Sequence, residues 1–140
     1  MTKRNHLHNR EKWERELQDI CFQIRNRKHV IFTNHFLDSL KERELEVGEV
    51  YSIFKNGTAE IIQGHAVGTY ALNGGKLNTD EIRVFYGKTK TNKIIHVVMA
   101  VAPGKFKFVT VYFPSLQYFE ENLKTLRKEY QFKKLNFLDD

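Results

Sequence analysis

A chain of 140 residues that is 41% hydrophobic and 13% aromatic makes a single domain with a real core, which excludes intrinsic disorder. One cysteine, Cys21, excludes an internal disulfide framework, and no apolar run reaches the length of a bilayer span. A net charge of +6 favours an anionic partner.

The basic excess is uneven along the chain. Residues 1–28 carry 8 basic and 4 acidic side chains, and residues 71–114 carry 7 and 2. Residues 29–70 reverse the balance with 3 and 6, and residues 115–140 carry 5 and 5. Lys-rich turns such as GKTKTNK equally keep hairpins in solution, so charge alone does not assign a ligand. The N-terminus lacks the apolar stretch of a secretory signal. The expected address is the cytoplasm, or the C-terminal toxin fragment of a longer secreted protein.

Trp13, Leu17, Ile20, Cys21 and Ile24 recur at helical spacing and predict an amphipathic helix over 10–27. Cys21 lies among apolar neighbours, as a buried thiol does. VIFT is a short extended piece, and Thr33 or Asn34 caps a second helix over 35–44 that buries Phe36, Leu37 and Leu40. A third helix, 46–55, buries Val47, Val50, Tyr51 and Phe54 and ends at Asn56-Gly57.

From Thr58 the period changes to two. Strands are expected at 58–64, 67–72, 81–87, 93–101 and 106–113, the first two forming one bent strand if Gly64 or Gly68 sits at a bulge. Short turns at Asn73-Gly74-Gly75, Lys88–Asn92 and Pro103-Gly104 imply an antiparallel meander. Pro114 stops it, Ser115 can cap, and Leu116, Phe119, Leu123, Leu126 and Tyr130 predict a closing helix over 116–130. The fold class is α+β: N-terminal helices, an antiparallel sheet of four or more strands, and a C-terminal helix, in one domain over 1–140.

Three polar residues stand where hydrophobic patterning does not need them. His35 and Arg43 are eight residues apart on one helix, about 12 Å in rise and about 80° in direction, so both can reach one phosphate. His96 interrupts the apolar run KIIHVVMAV. An imidazole there is either a hydrogen-bonded core histidine or an acid–base group in a cleft. Thr110 and Tyr112 share one face of the next strand. A turn of even length pairs His96 with a residue such as Val111, and an odd turn or a bulge pairs it with Tyr112 or Thr110; both registers stay open. Metal binding has no support, since His6, His8, His29, His65 and His96 show no ligand spacing.

Val30 to Pro114 resembles a family of bacterial domains grouped with the BrnT and RelE toxins, in the barnase–EndoU–colicin–RelE class of small ribonucleases. The shared pattern is a His-bearing helix with a following Arg, a short helix ending in Gly, an HVVVAV-type strand and a TVY strand near Pro. Here these are His35, Arg43, Gly57, HVVMAV from His96 and TVYFP from Thr110. The family often reads Arg-Gly where this chain has Arg43-Glu44, and residues 1–28 and 115–140 lie outside the core 30–114.

The resemblance implies a metal-independent, cofactor-free endoribonuclease of the toxin type that acts on RNA by 2′-hydroxyl attack. His35 and His96 are then the acid–base pair, with His35 expected to approach His96. Arg43 and Arg83 hold phosphate, and Thr110 or Tyr112 positions an oxygen. Lys88, Lys90, Lys93, Lys105 and Lys107 track the RNA backbone. The expected partners are RNA and an acidic antitoxin or immunity protein, with no membrane. The alternative is a non-catalytic module on the same fold that binds nucleic acid or protein.

Overall fold

The structure is a computed structural model that describes residues 3–26, 30–72, 74–102 and 105–130, with side chains from residue 10 onward. His29, Asn73, the Pro103-Gly104 turn and the side chains of His6 and His8 lie outside the described residues. The elements are α1 (Lys3–Arg25), β1 (Val30–Phe32), α2 (Asn34–Glu42), α3 (Val47–Lys55), β2 (Glu60–His65), β3 (Glu81–Lys88), β4 (Ile94–Ala102) and β5 (Lys105–Tyr112). They form an α+β domain around one five-stranded sheet of order β1-β5-β4-β3-β2. Strands β2 to β5 are antiparallel neighbours, whereas β1 lies parallel to β5. The sheet is therefore mixed. A crossover through α2, α3 and three strands separates β1 from β5, so no local turn signal could announce their pairing.

The three helices share one face of the sheet with the larger core. Ile20 and Ile24 of α1, Phe36 and Leu40 of α2, and Val50 and Ile53 of α3 pack with Phe85, Ile95, Val97, Phe108 and Val111. Strand alternation sends Val84, Val98 and Tyr112 to the opposite face, where Tyr70 and Phe119 join them in a second cluster.

That second cluster accounts for two departures from the sequence pattern. Residues 116–130 do not form a helix; they make turns, an isolated bridge between Phe119 and Leu126, and a 3₁₀ turn over Lys128–Tyr130. Asn122 accepts from the backbone N–H groups of Lys124 and Thr125, and Leu123 takes φ 60, outside the helical region. The apolar spacing is real, but Phe119, Leu123, Leu126 and Tyr130 spend it on covering the sheet. Residues 67–72 are likewise a loop rather than a strand. The buried Asn78 amide accepts from the N–H groups of Thr69 and Tyr70 and donates to the Ala66 and Asp80 carbonyls, holding the loop in place of a ladder. The bulge in β2 falls between Ile61 and Gln63, ahead of both glycines.

Candidate functional site: the α2 face and the rear-face histidine

Helix α2 is fixed to β5 at two levels. Thr33 caps it by accepting from the Phe36 N–H at 3.1 Å, and its hydroxyl lies 3.0 and 3.1 Å from the carbonyls of Phe108 and Val109. Nearly two turns on, the Ser39 hydroxyl donates to the His35 carbonyl at 2.8 Å and meets the Thr110 hydroxyl at 2.8 Å. With its proton committed to His35, Ser39 accepts from Thr110. The helix thus runs alongside β5 in the same direction, and Arg43, a further turn on, lies toward the end of the sheet where β5 finishes. The β3–β4 turn is at that same end, because Lys88 pairs with Ile94 and His96 with Tyr112.

The C-terminus of α2 explains the placement of Arg43. Arg43 is the C-cap, and Glu44 adopts φ 55. The Glu44 N–H bonds the Lys41 carbonyl and the Leu45 N–H bonds the Leu40 carbonyl, with Leu40 and Leu45 buried in one cluster. This is a Schellman motif with its accompanying hydrophobic contact. The Arg43 side chain is only 11% exposed and approaches Glu42 at 3.4 Å. His35 is half-buried at the other end of the helix.

His96 is elsewhere. Its neighbours Ile95 and Val97 belong to the helix-side core, so its ring points to the other face. It is fully buried there, packed edge-on against Phe119 and Tyr112. Nε2 lies 2.6 Å from the Leu123 carbonyl and must donate to it, so Nδ1 accepts from the Tyr112 hydroxyl at 3.1 Å. Burial pushes its pKa down to about 4, against a smaller opposing effect of the Leu123 carbonyl. Both ring nitrogens are used. This is the hydrogen-bonded core histidine, and the sheet separates it from His35.

The remaining sequence candidates divide by environment. Tyr112 faces His96, by way of the β4–β5 bulge between Val98 and Met99. Thr110 pairs with Val98 beside that bulge and is buried with its hydroxyl against Ser39 of α2. Neither hydroxyl presents itself to a ligand; each ties two elements together. Arg83 is 3% exposed and bound by Glu16 at 3.0 and 3.1 Å, by Glu81 at 3.3 Å and by the Ile82 carbonyl, so it is a structural tie between β3 and α1 and not a phosphate contact.

Lys88 and Lys90 are exposed in the β3–β4 turn, and Lys93 beside them pairs with Glu49 at 3.4 Å. A hydrogen bond from Thr91 is the main cause that holds the Glu49 carboxyl below its usual range, ahead of the nearby Lys93 charge. Lys105 and Lys107 begin β5 at the opposite end of the sheet, so the five lysines do not form one track. Ser39, Asn78 and Glu49 are the polar residues that sequence reasoning missed. The i, i+4 spacing of Ser39 from His35 was the available signal for the first.

Residues 32–113 match the family model described as domain of unknown function, DUF4258. That span is 82 of the 140 residues. The chain belongs to the DUF4258 family. No curated protein and no solved structure matches it. The DUF4258 segment takes in α2, α3 and β2 to β5, and with them His35, Arg43 and His96; α1 and residues 115–130 pack against it from outside. Among the described residues, no group of three or more His, Cys, Asp or Glu side chains is placed to hold a metal, and no helix is long and apolar enough to cross a membrane.

Proposed function

We propose that the chain is a metal-independent endoribonuclease that works from the α2 face, with His35 as its single proton-transfer group and Arg43 as its phosphate group. The observation that carries this reading is the anchoring of α2 at Thr33 and at Ser39–Thr110, which fixes the helix that has His35 in its first turn and Arg43 at its C-cap. The resemblance to the BrnT and RelE toxins supports the same reaction. RNA provides its own nucleophile. His35 takes the 2′-hydroxyl proton as that oxygen attacks phosphorus, Arg43 stabilises the added charge on the phosphoryl oxygens, and the departing 5′-oxygen takes a proton from water or from the imidazolium. The products are a 2′,3′-cyclic phosphate and a 5′-hydroxyl. Lys88 and Lys90, at the Arg43 end of the sheet, attract the flanking phosphates.

A second reading is favoured by the burial of His96 on the far face: the same surface binds RNA without cutting it. One experiment separates the two. Purified wild type, His35→Ala and Arg43→Ala are compared on a mixed-sequence RNA by gel, with circular dichroism confirming equal folding. The nuclease reading expects cleavage by wild type, reduced by about 10²-fold or more in His35→Ala. Binding by wild type with no cleavage selects the module, and neither binding nor cleavage removes RNA altogether.

A further inference from the structure

The sheet ends at β2, and its outer edge is open. Among the described residues, the backbone groups of Glu60–His65 pair only with β3. The edge opens into a groove of about 800 Å³ that wraps around the sheet margin. Trp13 and Leu17 of α1 form one wall, Ile61 and Ile62 the floor, and Asn122 and Thr125 the other wall. Ile61 and Ile62 point to opposite faces of the sheet, as their membership of the two separate clusters shows. A groove that touches both must therefore run along the edge itself.

We propose that this groove is a docking site for an extended peptide segment of a partner protein, added to β2 as a sixth strand. An unpaired edge supplies backbone donors and acceptors, and walls on both sides supply contacts for alternate side chains. The walls define the chemistry. The α1 side is apolar, with Trp13 and Leu17 above Ile61; the other side is polar, with Asn122, Thr125 and the Lys124–Glu60 ion pair at 2.8 Å. Charges on the rim balance, Arg10 against Glu14 and Lys124 against Glu60. The complementary ligand is a strand of near-neutral charge with apolar residues at every second position and polar residues between them.

A second copy of this chain is the disfavoured occupant. Over residues 59–62 each β2 lies between its own α1 and its own 122–125 turn, so pairing two copies along this stretch would bring wall against wall. A lone extended segment has no flanks to clash.

Trp13 is the only tryptophan in the chain and reports directly on the groove. A displayed library of heptapeptides with alternating apolar and polar positions is selected on the full chain, and the enriched peptide is synthesised. It is expected to shift Trp13 emission and to slow amide exchange in residues 60–65 at least tenfold. It is also expected to bind Thr125→Phe, which fills the polar wall, at least tenfold more weakly than wild type. The exchange result carries the test by itself if that variant fails to fold. Three results would overturn the proposal: no enrichment over a library without alternation, a bound peptide that leaves exchange in 60–65 unchanged, or concentration-dependent dimerisation that protects residues 60–65 without peptide.

Discussion

His96 is neutral in the folded protein because its imidazole is fully buried with both nitrogens engaged, one as donor to Leu123 and one as acceptor from Tyr112. Its folded pKa, pushed down to about 4, lies below the value of about 6.5 expected in the unfolded chain. Between those values the unfolded state binds more protons, so stability is whole above about pH 6.5 and falls as pH drops toward 4. The difference corresponds to about 3 kcal/mol at full protonation. Urea midpoints measured at pH 7 and pH 4.5 should therefore separate more for wild type than for His96→Gln, which cannot titrate. Equal separations would mean that His96 is not the proton acceptor. In the same experiment at pH 7, His96→Ala should lose about 2–4 kcal/mol, from a cavity beside Phe119 and an unpaired Leu123 carbonyl.

At the scale of the elements, α2 shows what its sequence carried and what it did not. The helix and its buried Phe36 and Leu40 follow from spacing, whereas the choice of Thr33 over Asn34 as cap did not, and Leu37, expected inside, is exposed; His35 lies on the helix and Arg43 caps its end. That α2 lies on the face away from His96 was not legible, because α2 follows a parallel strand that pairs with β5 from far away in sequence, and the pairing of His96 with Tyr112 depends on a bulge between Val98 and Met99. The 116–130 segment misled for a related reason. Apolar residues every three or four positions satisfy a helix, but they equally satisfy turns that lie flat on a sheet, and a polar Asn122 with Leu123 at positive φ decided for the turns.

Three substitutions test this account of α2. Glu44 occupies the left-handed position of the Schellman motif, which glycine fills without strain. Glu44→Gly should raise stability by about 1 kcal/mol in thermal or urea unfolding, since a side chain is strained there; a destabilised variant would contradict the motif. Thr110→Val should cost about 1 kcal/mol by removing the donor to Ser39. In a double-mutant cycle with Ser39→Ala the losses should add to less than their sum. Strict additivity would show that the two hydroxyls do not interact.

For the whole molecule, the sheet is a partition. Its helix side carries α2 with His35 and Arg43, its far side buries His96 under residues 115–130, and its lysines are divided between two ends. That division predicts which charges matter to RNA. Arg43, Lys88 and Lys90 lie at the end where β5 finishes, whereas Lys105 and Lys107 lie at the end where it starts. If RNA binds from the Arg43 end, about three phosphate contacts give a slope near −2 in log affinity against log salt for a single strand. Changing Lys88 and Lys90 together to Glu should weaken binding and flatten that slope, while the same change at Lys105 and Lys107 should leave both nearly unaltered. Fluorescence anisotropy with a short labelled RNA over about 50 to 200 mM salt, a range in which such contacts are strongly salt-dependent, reads both quantities. Equal losses from the two lysine pairs would mean that RNA contacts both ends of the sheet. A wild-type slope near zero would mean that the basic excess is solvated and that the α2 face meets RNA, if at all, without counterion release.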